Sequence, residues 1–194
     1  MSIRLARETD IPRILEIYRP YVEQTTVTFE YQLPTPEAFA QRFRDITERF
    51  PFLVWEEEGT VLGYTYAVLP FSREAYHWIA EPSVYLDRNA RGRGIGKRLY
   101  TALESILTLL GYQLSYALIT EENEASVRFH TRMGYAPMAT FPGCAWKHGR
   151  QLGVTWMQKR LNSAVLPSKF PDAFPAFVEN RENFTKILDI LSLS

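Results

Sequence analysis

Seven consecutive residues, Arg91-Gly92-Arg93-Gly94-Ile95-Gly96-Lys97, carry the densest chemistry in this chain. They follow a strand-like run, Ser83-Val84-Tyr85-Leu86, and precede a helix-like run from Arg98 to Leu110. Glycine at alternate positions removes the Cβ atoms that would hold an anion away from the backbone, and it permits the positive φ angles of a concave loop. The N–H groups of such a loop can converge on a phosphate. The following helix adds unpaired first-turn donors and its dipole, while Arg91, Arg93, Lys97 and Arg98 supply positive charge. Spacing excludes the two familiar nucleotide loops. A dinucleotide fingerprint needs glycine where Lys97 stands, and a Walker loop needs glycine at Arg91 and Ser or Thr at Arg98. The competing reading is a basic surface turn, so other motifs must decide.

A second constellation is Asn123-x-x-Ser126-x-x-x-His130-x-x-x-Gly134-Tyr135. Its spacings of three and four place Asn123, Ser126 or Val127, and His130 along one side of a helix, where they can face a common ligand. Upstream, Glu81 is followed by Pro82. Proline biases Glu81 to extended geometry and cannot donate to a strand ladder, so a bulge or break is expected there, freeing N–H groups such as that of Val84.

The elements that must position these groups follow from periodicity. Ile3 to Ala6 reads as a first strand, and Thr9 or Asp10 caps a helix carrying Ile11, Ile14, Leu15, Tyr18 and Val22. A second helix starts at Thr35 with Pro36 in its first position and presents Phe39, Phe43 and Ile46. Phe52 to Glu57 and Val61 to Leu69 form a hairpin through Glu58-Gly59-Thr60, and a further strand runs from about Trp78 to Leu86. Ile95, Leu99, Leu103, Ile106 and Leu110 make a helical stripe that stops at Gly111. Leu114 to Thr120 is a buried-type strand, Asn123 to Met133 a short helix, and Met138 to Phe141 with Gly153 to Leu161 the last two strands. The sum is an α/β layer fold with helices on both faces of a mixed central sheet.

Length and composition set the outer limits. A chain of 194 residues favours one domain, read here as 1–161, followed by a proline-interrupted extension, 162–194. The extension has prolines at 167, 171 and 175 before an amphipathic pattern of Phe184, Ile187, Leu188 and Leu191; a tail packed on its own domain and a subunit contact are both open. Twenty-two basic and 22 acidic residues leave no net field to recruit nucleic acid or a membrane. One cysteine, Cys144, excludes an internal disulfide framework, and no membrane span, leader or metal-ligand cluster is visible. The expected setting is cytoplasmic.

Arg-x-x-Gly-x-Gly between strand and helix resembles the pyrophosphate loop of the GNAT acyltransferases, which use acetyl-coenzyme A, and the Asn123 to Tyr135 pattern resembles a second signature of that family. Three further stretches, Ala75-Tyr76-His77-Trp78-Ile79-Ala80-Glu81, Ser83-Val84-Tyr85-Leu86 and Trp146-Lys147-His148-Gly149, are similar to the phosphinothricin N-acetyltransferase branch. The resemblance runs from about Ile3 to Leu161. It implies the GNAT fold, with a mostly antiparallel sheet, and acetyl transfer to the α-amine of a small amino-acid-like molecule by direct attack, without a metal. It also implies a coenzyme track along Val84, Tyr85 and Leu86, the loop Arg91, Gly92, Arg93, Gly94, Ile95, Gly96 and Lys97, and Asn123 and Ser126.

Residue roles carry over in the same way. Glu81 matches the glutamate of the branch and is the candidate base for the ammonium proton, against a plain strand-end carboxylate. His130 stands where many family members place a tyrosine acid and where this branch has histidine. It is the candidate acid for the departing thiolate; a swap of roles with Glu81, or a structural histidine, stays open. Acceptor recognition falls to Phe71, Ser72, Arg73, Tyr76, Glu81, Pro82 and Ser83, with Arg73 suited to a carboxylate. Phe71 replaces a lysine of other phosphinothricin enzymes, which favours a less charged acceptor. The family often forms homodimers. Two alternatives are a protein or peptide N-acetyltransferase of the same fold and a non-catalytic acyl-coenzyme A module.

Overall fold

The computed structural model describes residues 1–162 and 169–192. Seven strands form one sheet: β1 (Ser2–Leu5), β2 (Phe52–Glu57), β3 (Thr60–Val68), β4 (Ile79–Leu86), β5 (Leu114–Thr120), β6 (Ala136–Lys147) and β7 (Arg150–Arg160). Their spatial order is β1-β2-β3-β4-β5-β7-β6. Every neighbouring pair is antiparallel except β4 and β5. The helices are α1 (Ile11–Gln24), α2 (Pro36–Thr47), α3 (Ile95–Leu110), α4 (Glu124–Arg132), α5 (Phe174–Glu179) and α6 (Arg181–Ser192).

The feature that makes a site is the parallel pair. β4 and β5 share only the rungs Ile79↔Leu114 and Ala80↔Ser115. Beyond Ala80 the two strands diverge, and Glu81 is the first residue past the fork. Pro82 explains part of this, since a residue without an N–H cannot continue a ladder. It does not break β4 as expected. The strand stays in regular register with β3 through Ala67↔Pro82 and Val68↔Glu81. The break is one-sided, on the edge facing β5. Along β4 the N–H groups alternate in direction: Asp87 donates to Leu62 O of the β3 side at 2.8 Å, whereas the Leu86 N–H turns away to Tyr21 Oη at 3.1 Å. That alternation puts the Val84 N–H on the β5 side, where no ladder partner exists.

Local sequence accounts for the helices around the fork. Thr35 caps α2 by accepting from Ala38 N at 3.2 Å, with Pro36 in the first turn. Asp10 precedes α1 but does not cap it. Its carboxylate takes the Arg4 guanidinium, at 2.7 and 2.9 Å, and the Arg7 N–H. α3 buries Ile95, Leu99, Leu103, Ile106 and Leu110 against the sheet and ends at Gly111, whose φ of 99° terminates the helix. The last two strands are longer than their sequence pattern suggests, because β6 and β7 continue as a twisted hairpin out to His148-Gly149.

The C-terminal extension is sewn onto the domain. Asp172 N donates to Leu110 O and Phe174 N to Arg49 O, both at 2.9 Å; Phe170 stacks on Trp78; and Phe174 and Ile187 join the main core. Pro175 opens α5 in its first turn, while Pro167 lies outside the described residues. Ile187 is 0% exposed whereas Leu188 is 49% exposed. Ile187→Ala is therefore expected to cost about 2–4 kcal/mol in urea unfolding through lost contacts and a cavity, and Leu188→Ala about 0.5 kcal/mol or less. Equal effects would show that α6 does not dock in solution.

Candidate active site

The diverging strands open a cavity of about 600 Å³. One wall is β4 from Glu81 to Leu86, the other β5 from Ala117 to Thr120. Its far end is the glycine loop and α3, through Arg91, Gly92, Gly94, Gly96, Lys97 and Tyr100, and its flank is α4, through Asn123, Ser126, Phe129 and His130. The two motifs read from the sequence thus meet across one space.

The loop is built as an anion seat. Gly92 and Gly94 have φ of 77° and 80°, and a Cβ on either would meet nothing within 4 Å. The space above them is open, and L side chains rarely adopt the backbone conformation there. Gly94 is also the N-cap of α3 and offers no side-chain cap, so the first-turn N–H groups stay available to a ligand. Gly96 differs, since a Cβ there would make ordinary contact with Leu86 Cδ1 at 3.4 Å on β4. The cationic rim is smaller than the sequence implies. Arg93 is held by Glu57 at 2.7 and 2.8 Å, and Arg98 lies over the Trp55 ring. Arg91, stacked over Tyr21, and Lys97 remain on the cavity wall, joined by Arg132. Ile95 points its side chain into the core.

Glu81 is mostly enclosed at the fork, and this burial raises its carboxyl above the usual carboxylate range. Such a group takes a proton more readily than a solvated glutamate. His130 is buried on α4, and desolvation pulls its imidazole down, against a smaller opposing effect of its hydrogen bond to Ser126. Its Nδ1 is 2.8 Å from Ser126 O, a carbonyl that only accepts, so Nδ1 carries a proton. Nε2 faces Tyr100 Oη at 3.1 Å. Asn123 spends its Oδ1 on capping α4, accepting from Ser126 N at 3.1 Å, which leaves its Nδ2 for other partners.

The acceptor residues divide. Glu81, Pro82 and Ser83 line the cavity, while Phe71, Ser72, Arg73 and Tyr76 do not. Phe71 packs on Tyr76 and stacks on Trp156, and Trp156 meets Tyr116 and Phe141. These rings form an aromatic shelf over the β5–β7 side of the sheet, with Arg73 exposed at its edge. Sequence reasoning passed over the hydroxyl and carboxylate cluster behind His130: Tyr100, Tyr135, Ser115 and Glu104. Glu104 was the available signal, being a carboxylate set between Leu103 and Ile106 in the apolar stripe of α3.

Residues 3–156 match the family described as the Acetyltransferase (GNAT) domain. The chain belongs to the GNAT acetyltransferase family. This GNAT acetyltransferase is 33% identical over 159 residues to phosphinothricin N-acetyltransferase of Streptomyces viridochromogenes, a match covering 82% of this chain and 87% of the relative. It is 36% identical over 166 residues to an L-methionine sulfoximine/L-methionine sulfone acetyltransferase of Pseudomonas paraeruginosa, covering 83% and 95%. Among solved structures, a GNAT superfamily phosphinothricin acetyltransferase from Sinorhizobium meliloti in complex with AcCoA aligns with a TM-score of 0.83 at 34% identity, covering 90% of this chain and 95% of that one. Among the described residues of this acetyltransferase, no group of His, Cys, Asp and Glu could hold a metal, and no helix is long and apolar enough to cross a membrane.

Proposed function

We propose that this enzyme transfers acetyl from acetyl-coenzyme A to the α-amino group of a small amino-acid-like molecule of the phosphinothricin or methionine sulfoximine/sulfone type. The observation that carries the reading is the one-sided fork. A cavity runs from an anion seat to a half-buried glutamate whose carboxyl is raised by desolvation, past a strand edge with an unspent N–H group.

Bound acetyl-coenzyme A supplies an activated thioester. Backbone N–H groups of the Gly92 to Lys97 segment, with Arg91 and Lys97, hold the pyrophosphate, and the Val84 N–H polarises the acetyl carbonyl. Glu81 takes a proton from the acceptor's ammonium, directly or through a water, so that a neutral amine attacks. His130 serves as general acid for the departing thiolate. The acceptor approaches from the aromatic shelf, where Phe71 and Tyr76 suit an uncharged side chain and Arg73 suits a carboxylate or sulfone oxygen.

Two wider readings accompany this one. The enzyme works in the cytoplasm. It forms a homodimer through the far end of the sheet, where Trp146 is 61% exposed beside Tyr31, whose hydroxyl donates to Trp146 O, and where Phe141 and Met138 are also exposed. Light scattering checks the second.

The deciding experiment is thiol release from acetyl-coenzyme A with purified protein against free amino acids, methionine sulfone, methionine sulfoximine, phosphinothricin and short peptides. Turnover is expected with the sulfone, sulfoximine or phosphinothricin class. Turnover on peptides alone would replace the acceptor class, and coenzyme A binding without thiol release would make the protein a binding module.

A further inference from the structure

His130 is the first of five polar side chains that run from the cavity wall to the protein surface. Tyr100 Oη lies 3.1 Å from His130 Nε2 and 3.2 Å from Tyr135 Oη. Tyr135 Oη is 2.9 Å from Glu104 Oε1 and 2.5 Å from Ser115 Oγ. Glu104 Oε2 closes the line with Lys159 Nζ at 2.6 Å, and only Lys159 reaches solvent appreciably. Glu104 itself is almost fully buried.

Proton bookkeeping gives this line a direction. Each phenol has one hydrogen. A carboxylate at Glu104 only accepts, so Tyr135 donates to it and has nothing left for Tyr100 or Ser115. Ser115 can donate to Tyr135, and Tyr100 donates to it at 3.2 Å, so the Tyr100 oxygen turns a lone pair toward His130 Nε2. The His130 Nδ1–H is already committed to Ser126 O. A neutral imidazole would set two lone pairs against each other at 3.1 Å. An imidazolium would donate into the Tyr100 oxygen and satisfy both.

We propose that Glu104, fixed by Lys159, is a positioning residue that orients the Tyr135 and Tyr100 hydroxyls so that His130 is held in its proton-bearing form. The proposal rests on the reading of His130 as the general acid, and it adds to the Ser126 carbonyl a second group that opposes desolvation at that site. Glutamine at 104 can donate to Tyr135 through Nε2, which reverses the line: Tyr135 becomes free to donate to Tyr100, and Tyr100 donates to His130, favouring neutral imidazole. The other titratable or charged groups around His130 are few. Glu81 across the cavity acts electrostatically on Tyr100, Arg132 lines the same cavity, and Arg128 on α4 pairs with Glu124 at the surface.

The test is the NMR titration of the imidazole signals, which is tractable because the chain has three histidines. Glu104→Gln is expected to lower the His130 midpoint by about one pH unit and to leave His77 and His148 unmoved. Tyr135→Phe, which cuts the line while keeping the ring, is expected to give a similar fall, and adding Glu104→Gln to it no further fall. An unchanged His130 midpoint in Glu104→Gln overturns the proposal. If Glu104→Gln does not fold, an unchanged midpoint in Tyr135→Phe does so alone. The acid role is judged separately by His130→Ala. If that variant keeps full turnover while the midpoint shifts are seen, the acid reading fails and the positioning of His130 stands.

Discussion

Glu81→Gln is expected to lower kcat/KM by about 10²–10⁴-fold at neutral pH, the usual worth of a positioned general base. The shape of the pH profile separates this from simple misplacement of the acceptor. Burial raises the Glu81 carboxyl, so activity of the native enzyme is expected to fall as pH drops through a midpoint above the ordinary carboxylate range. The glutamine variant has no such bend. A retained bend would assign the proton transfer to another group. The same burial gives the variant an opposite effect on stability. A carboxyl with a raised folded-state pKa contributes stability below its unfolded pKa and loses it as pH rises through the folded value. Glu81→Gln is therefore expected to resist urea better than the native enzyme near neutrality. Lower activity together with lower stability would instead indicate disruption at the fork.

Gly94→Val is expected to raise the KM for acetyl-coenzyme A about 100-fold with little change in kcat, as loss of roughly 2–3 kcal/mol of charge-assisted contact predicts. Position 94 has φ of 80°, a conformation that costs a β-branched residue about 1–3 kcal/mol, and the new methyls would stand where the anion sits. On the proposed reading the reacting atoms lie by Glu81, at the other end of the cavity, so kcat is expected to be spared. A large fall in kcat with unchanged KM, measured by thiol release at saturating acceptor, would contradict the assignment of the seat.

Much of this site is legible in the chain because its parts are local. The glycine loop, the helix behind it and the Asn123 to His130 spacing are set by backbone conformation and helical period, which a linear sequence displays directly. Glu81-Pro82 announces a ladder that stops, although not on which edge, since that depends on which strand lies to either side. The rest is tertiary. The engagement of Arg93 by Glu57 and of Arg98 by Trp55 joins residues 36 and 43 positions apart, and no local signal tells a free arginine from a paired one. The buried line from Lys159 through Glu104 to His130 crosses β7, α3 and α4. Sequence shows only its oddest member, a glutamate in an apolar stripe. The docking of α6 likewise turns on Ile187, whose neighbours Phe184 and Leu188 are just as apolar and remain exposed.

The two rungs between β4 and β5 have a mechanical consequence. Among the described residues they are the only strand rungs between four antiparallel strands, β1 to β4, and three others, β5, β7 and β6. The sheet is thus two panels joined along a short seam. The cavity is the unpaired remainder of that seam, so its width is set by how the two panels are joined.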